Sequence, residues 1–432
     1  MKPFQYKAGG ALTEENADLY VQRAADAEVL SHLEAMNYVL LIEPRQQGKT
    51  SMINHLIDEP VFDNTWWGYV DVTTLDRTSE PAWYRSLGSR LLSQWSALTR
   101  SDFQPDMPGD VNGWRDFLSR FAARARDESR RLVIAFDEIG AITFPGATLF
   151  FSVLREIYNA RKLERQFRSV TFILTGAFDP RDLIDDDRIS PFNIAQHVRL
   201  VDFTSTQVRE LVGKGGWSAT QSAEIADRIH RWTGGQPYLC QWICSRLGST
   251  AKSSDVDACV ARLLAEEENH LPPIVKRLNS DKKMRDYVGR ILAGEKIKFH
   301  PTLSQLHRHL QILGVVQADD EGFCTIRNRV YEAILSSGVL DNGVSISELP
   351  THAGNARIRH LVQQQREYDQ KYVELSRRIA ALDTDIGRAT EEFKRQPLTE
   401  LKAQLEAERT EIANQLTEIE RQLAGADLTP DT

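Results

Sequence analysis

Apolar positions fall into two spacings along the first half of the chain. Continuous runs at Tyr38-Val39-Leu40-Leu41-Ile42, Leu132-Val133-Ile134-Ala135-Phe136 and Ser169 to Thr175 predict strands covered on both faces, and Trp67 to Val72 predicts another. Helical spacing recurs at Val29, Leu30, Leu33 and Met36, at Met52, Ile53 and Leu56, from Ala82 to Leu98, and from Leu149 to Leu163. Pro, Gly and Asp between Gln104 and Gly113 mark a surface loop. This alternation predicts an α/β fold with a parallel sheet and flanking helices.

The pattern then changes. Trp232-Thr233-Gly234-Gly235-Gln236-Pro237-Tyr238-Leu239 reads as a helix stop followed by a helix start. Lys283 to Leu335 gives two helices and short β-like runs around Asp319-Asp320-Glu321-Gly322, compatible with a winged helix. Ile358, Leu361, Gln365, Tyr368, Tyr372, Leu375, Ile379, Leu382, Ile386, Ala389 and Phe393 form a heptad seam that predicts a coiled coil. Pro397 interrupts it before Leu398, Leu401, Leu405, Ile412, Leu416, Ile419 and Leu423 resume, so two helices are expected rather than one. An antiparallel hairpin and pairing with another protomer both fit. The expected divisions are 1–205, 206–275, 276–345 and 355–424.

Composition narrows the function. A chain of 432 residues exceeds what one core organises. A net charge of -8 argues against binding a polyelectrolyte over the whole surface. Cys240, Cys244, Cys259 and Cys324 lack a CxxC pair and read as core. No run approaches the roughly 20 apolar residues of a membrane span, and Met1-Lys2-Pro3-Phe4-Gln5 does not open a signal peptide, so a cytoplasmic protein without a membrane partner is expected.

The chemistry begins where the first strand runs into Glu43-Pro44-Arg45-Gln46-Gln47-Gly48-Lys49-Thr50-Ser51. In a P-loop, backbone N–H groups and a helix N-terminus face the phosphates, the Lys reaches the β/γ oxygens and the following hydroxyl holds Mg²⁺. Lys49 and Thr50 fit those roles, although Glu43 stands where the pattern has Gly. The second strand ends in Asp137-Glu138, at the edge where open α/β sheets place ligands. Asp137 suits Mg²⁺, and Glu138 suits orienting the attacking water. Thr175, at the tip of a further strand, is a candidate to sense the γ-phosphate, although β propensity explains a Thr there equally well.

The Tyr20-Val21-Gln22-Arg23 segment, Pro44 to Thr50, Asp137-Glu138, Gly176 to Leu183, Ser190 to Ile194, Gly234 to Leu239, Leu310 to Val316 and Ile326 to Glu332 occur in an order that resembles the bacterial AAA-like domain family within the STAND signalling NTPases. The resemblance covers roughly the first three quarters of the chain. It implies a switch in which ADP holds a closed form and ATP permits assembly into a homo-oligomer. It also places Tyr20, Val21 and Arg23 near adenine, Pro237 against the nucleotide from a helical lid, and Arg45, Gln46, Gln47, Gly48 and Ser51 in the loop around ATP or ADP. Gln22, where relatives often have Gly, is one departure. Glu43 and the lack of an Arg after Thr175 are two more, and together they imply slow hydrolysis. Arg181 and Arg188 are the nearest basic candidates for a γ-phosphate sensor, though they read better as solvated loop charges.

The leading expectation is therefore an ATP-dependent signalling switch in bacterial defence or stress, recruiting a sensor or effector protein through its C-terminal helices. One alternative is a DNA-binding regulator or loader using His307, Arg308, His309 and Arg327. Another is a scaffold that holds nucleotide permanently.

Overall fold

The computed structural model describes residues 5–426, apart from 60–63, 96–102, 104, 143, 145, 185–187, 266–270, 337–339 and 341–391. Within that last stretch, scattered helical positions between 364 and 386 are described. The expectations for Leu98, Gln104, Ile358, Leu361, Gln365 and Ala389, and for the first four residues, lie outside the described residues.

Helix α1 (Ala24–Glu34) precedes β1 (Val39–Ile42), which leads through the Gly48-Lys49 turn into α2 (Lys49–Ile57). Next come β2 (Thr65–Asp71), α3 (Glu80–Trp95), α4 (Val111–Asp127), β3 (Arg131–Asp137), α5 (Ala147–Ala160), β4 (Val170–Gly176), α6 (Pro180–Leu183) and β5 (Gln196–His197). Asp110 caps α4 by accepting from Gly113 N–H at 2.7 Å, so the expected loop ends in a helix start.

The five strands lie in the order β2-β3-β4-β1-β5, all parallel. Strands β1, β3 and β4 are almost wholly buried because apolar clusters cover both sheet faces. Edge strand β2 instead alternates buried with half-buried positions. Leu41 pairs with Thr175 and Asp71 with Asp137, so the carboxyl ends of the strands reach one rim.

A second apolar cluster organises the C-terminal elements: α7 (Ser205–Gly213), α8 (Ala219–Thr233), α9 (Pro237–Arg246), α10 (Ser253–Ala265), α11 (Leu271–Ser280), α12 (Lys282–Leu292), α13 (Gln305–Leu313), the antiparallel pair β6 (Val316–Ala318) and β7 (Cys324–Ile326), and α14 (Arg329–Ile334). The N-terminal segment joins this cluster through Tyr6, Leu19 and Val21, and Tyr6 Oη donates to the Leu211 and Val212 carbonyls, each at 3.0 Å. All four cysteines are buried and unpaired, as core residues should be.

The last helix, α15 (Glu392–Ala426), runs through Pro397, where the sequence predicts a break. Pro397 stands in the second turn and is exposed, so the helix loses one backbone bond near an end. Leu405, Ile412 and Leu416 of α15 bury against Tyr372, Leu375 and Ile379 of the same chain. Tyr372 also ties this pair to the body. Asp257 of α10 accepts from Tyr372 Oη at 2.9 Å, from Trp232 Nε1 at 2.7 Å and from Arg228 at 2.7 and 2.9 Å. Among the described residues, no helix is long and apolar enough to cross a membrane.

Candidate functional site

Strand β1 delivers the chain to the rim and the loop turns sharply there. Gln46 and Gly48 take left-handed backbone conformations, with φ of 62° and 86°, and the second is routine for Gly alone. Lys49 is buried, and its Nζ donates to the Glu43 and Pro44 carbonyls, each at 2.9 Å. Burial pushes this ammonium's pKa down, against the pull of Glu138, Asp137 and Glu43. The loop therefore holds its cation folded onto itself, poised to exchange two carbonyls for a stronger anionic acceptor.

Asp137 sits at the centre of a hydroxyl cluster. It accepts from Thr50 Oγ1 at 2.5 Å, from Tyr69 Oη at 3.1 Å and from Thr175 Oγ1. Thr175 is fully buried, its hydroxyl donates to Asp137, and it is not among the residues that line the cavity described below. Parallel register explains this: with β4 beside β3, a hydroxyl at the tip of one strand reaches the carboxylate at the tip of its neighbour. Next to Asp137, Glu138 adopts φ 54° and ψ 39°, a conformation non-glycine residues rarely hold, and its N–H bonds Asp137 Oδ1 at 2.9 Å.

These groups open into a cavity of about 250 Å³. Tyr20, Val21, Arg23, Gln46, Gly48, Lys49, Thr50, Ser51, Glu138 and Pro237 line it together. Arg23 donates to the Gln47 carbonyl at 2.9 Å, while its Nε is buried with no partner among the described residues. Tyr20 stacks on His55 with centroids 4.2 Å apart. Pro237 begins α9 after a turn only glycine allows, since a Cβ on Gly235 would lie 1.8 Å from the Phe203 carbonyl oxygen.

Two loop residues expected at the nucleotide, Arg45 and Gln47, do not line this cavity. Arg45 lines a separate cavity of about 620 Å³ with Phe178, Asp179, His309 and Leu313. Gln47 turns outward: its Nε2 donates to the Leu200 carbonyl and Asp202 Oδ1, each at 2.9 Å, and its Oε1 accepts from Arg327. Glu43 also points away from the loop mouth. It is buried and accepts from Arg199 Nε at 2.9 Å and Leu200 N–H at 3.1 Å. Neither Arg181 nor Arg188 lines the cavity, and Arg181 Nη2 bonds Asp179 at 2.7 Å.

Several lining residues escape a reading of the sequence: Lys7, Gly9, Gly10, Leu12, Phe203 and Gln241. The N-terminal segment is held across α2, with Leu12 N–H on Ser51 Oγ at 3.0 Å and Asn54 Nδ2 on the Leu12 carbonyl at 2.6 Å. Gly9-Gly10 hints at a close backbone approach, and Gln241 follows Pro237 by one helical turn. Nothing local links either of them to the loop.

A phosphate loop on β1 with an acidic tip on β3, separated by β4, defines a P-loop fold. The chain belongs to the AAA-like domain family, whose model matches residues 9–337. An uncharacterised WD repeat-containing protein of Synechocystis is 27% identical over 335 residues, which is 73% of this chain and 27% of that protein's length. The Walker-type ATPase of Pyrococcus abyssi shares the fold at 17% identity and a TM-score of 0.53, covering 76% of this chain and 99% of that one. The ORC2 protein of Aeropyrum pernix, in ADPNP-ADP complexes, aligns at 13% identity and a TM-score of 0.48, over 79% of this chain and 96% of that one.

Proposed function

We propose that this chain binds ATP and ADP with Mg²⁺, hydrolyses ATP slowly, and acts as a STAND-type switch controlling a protein partner. Lys49 and the backbone amides from Gly48 to Thr50 would hold the terminal phosphates. Thr50 and Asp137 would hold the cation, which neutralises phosphate charge when bound. Glu138 is suited to orient the attacking water. Among the described lining residues the cationic side chains are Lys7, Arg23 and Lys49. With no further cation among them at the phosphate end and Thr175 turned to Asp137, fast turnover lacks a group to stabilise developing charge.

The observation that carries the switch reading is the contact on the loop's outer side. Arg327, at the end of β7 in the proposed winged helix, is buried; its Nε bonds Asp202 Oδ2 at 2.9 Å and its Nη2 bonds both Asp202 Oδ1 and Gln47 Oε1. Gly314 lies against Pro44, where an added Cβ would come within 3.0 Å of the ring. Movement of the loop on nucleotide exchange would therefore be felt by the C-terminal unit, and through Asp257 and Tyr372 by the terminal helices offered to a sensor or effector. The DNA reading loses support here. Arg327 is engaged, and buried His307 bonds Tyr287 Oη and accepts from His300 N–H at 2.9 Å.

Native mass spectrometry of Glu138→Gln, with and without Mg-ATP, tests the proposal. A monomer carrying ADP that forms a discrete larger assembly with ATP is the expected result. Bound nucleotide with no change in assembly, with or without a partner, would overturn the switch.

A further inference from the structure

Strand β2 pairs with β3 on one side and forms the edge of the sheet on the other, so the backbone groups on its outer side need partners that are not strands. Gln94 of α3 supplies them at one residue. Its Oε1 accepts from the Tyr69 N–H and its Nε2 donates to the Tyr69 carbonyl, each at 2.8 Å. A single side-chain amide thus stands in for a neighbouring strand and fixes the backbone of Tyr69.

The side chain leaves the strand on the α2 face. Alternation along β2 puts Trp67 and Tyr69 on one side, and both pack on the apolar cluster that holds Met52 and Ile53 of α2. From there the half-buried phenol reaches the tip of β3, where Tyr69 Oη donates to Asp137 Oδ2 at 3.1 Å. Thr50 Oγ1 donates to the same oxygen at 2.5 Å, while Oδ1 accepts from Thr175 Oγ1 and from the Glu138 N–H. Asp137 is buried and lies behind the cavity wall, whereas Thr50 lines the cavity. With its proton committed to Asp137, the Thr50 hydroxyl has only acceptor capacity left. An oxygen of that kind, backed by a carboxylate, suits a hard divalent cation. What holds the hydroxyl in that orientation is Asp137 Oδ2, and Tyr69 is the other side chain that holds Oδ2.

We infer, on the reading that this cavity holds a nucleotide with Mg²⁺, that Tyr69 is a positioning residue for the cation. It lines no part of the cavity and acts through two others: Tyr69 steadies Asp137, Asp137 takes the Thr50 proton, and Thr50 offers its oxygen. A phenol fits this task because it brings one donor on a rigid ring and no charge, so the carboxylate stays anionic behind the cation. Donors placed behind a metal ligand in this way are worth about 10- to 100-fold in metal affinity.

The test is Tyr69→Phe, which removes the hydroxyl and keeps the ring and its packing. Calorimetric titration measures ATP affinity in EDTA and again in saturating Mg²⁺, and the ratio of the two reports how much more tightly the cation is held in the complex than on free ATP. Wild type is expected to bind ATP more tightly with Mg²⁺. In Tyr69→Phe that ratio should fall about tenfold, with the affinity in EDTA unchanged. An unchanged ratio, whether both affinities stay or both weaken together, makes Tyr69 a residue of the fold alone and overturns the inference while the nucleotide site stands. A wild type that binds ATP equally well with and without Mg²⁺ overturns the cation reading and the inference with it. Failure of wild type to bind ATP in either condition overturns the nucleotide site itself.

Discussion

The P-loop has two faces, and adjacent residues serve opposite ones. Inward, Gly48, Lys49 and Thr50 line the cavity. Outward, Glu43, Pro44 and Gln47 are bound or packed by Arg199, Gly314 and Arg327. The inner face needs only a few residues in a fixed local order. The outer face needs partners from distant segments, Arg199 being 156 positions from Glu43 and Arg327 being 280 from Gln47. A loop that reads as a degraded phosphate motif thus proves to be a motif with a second set of contacts. Glu43 belongs to that set: at the position where the pattern has Gly, its carboxylate reaches the Arg199-Leu200 edge and leaves the cavity clear.

Substitution should separate the faces. The largest effect is expected on the inner one: Lys49→Ala should lower triphosphate affinity by about 100-fold or more, the scale of a charge-assisted contact to the terminal phosphates. Stability should change little, since only two carbonyl contacts are lost and a desolvated cation is removed. Isothermal titration and thermal melting read both quantities on the same sample, and a strong loss of stability with affinity intact would reverse the comparison.

Next, Arg327→Ala should act on the outer face. Removing one partner of a buried pair costs about 3 kcal/mol, and here it also strips Gln47 Oε1 of its donor. Chemical denaturation should show that loss. ADP release, followed with a fluorescent analogue in stopped flow, should accelerate several-fold if the contact restrains the loop. An unchanged release rate in a destabilised protein would make the contact structural only.

The smallest effect concerns pH. Burial raises the Glu43 pKa, and Arg199 and the Leu200 N–H pull it down without cancelling the rise. With the folded pKa above the unfolded value of about 4.3, the folded state binds more protons between the two. The stability this group contributes is thus present at low pH and lost as pH rises through the folded pKa. Glu43→Gln should flatten that part of the stability profile, measured as denaturation midpoints from about pH 4 to 8. A profile that keeps its slope would assign the loss to another group.

Sequence reading reaches the inner face because its signals are local: an apolar run, a Gly, a cation and a hydroxyl, then a second apolar run ending in two carboxylates. It does not foresee where Arg45, Gln47 and Thr175 point, each a polar side chain at the rim whose direction depends on what the neighbouring strand or the C-terminal unit offers. It misses Gln241 and the Lys7 to Leu12 segment because they meet the loop only when the N-terminus and α9 close over it. Pro397 shows the same limit at the level of an element, since a Pro in the second turn of a 35-residue helix is tolerated where propensity alone predicts a stop.

Primary structure was enough for the buried strands, the helices between them, the position of the phosphate loop and the acidic strand tip, because burial on both faces and backbone geometry are written in short-range spacing. Strand order, the direction of each rim side chain, the partners of Glu43 and Gln47, and the packing of α15 onto Tyr372, Leu375 and Ile379 within one chain came from tertiary packing alone. A buried polar atom takes the partner that packing brings within reach, and in this chain those partners come from segments far apart in sequence.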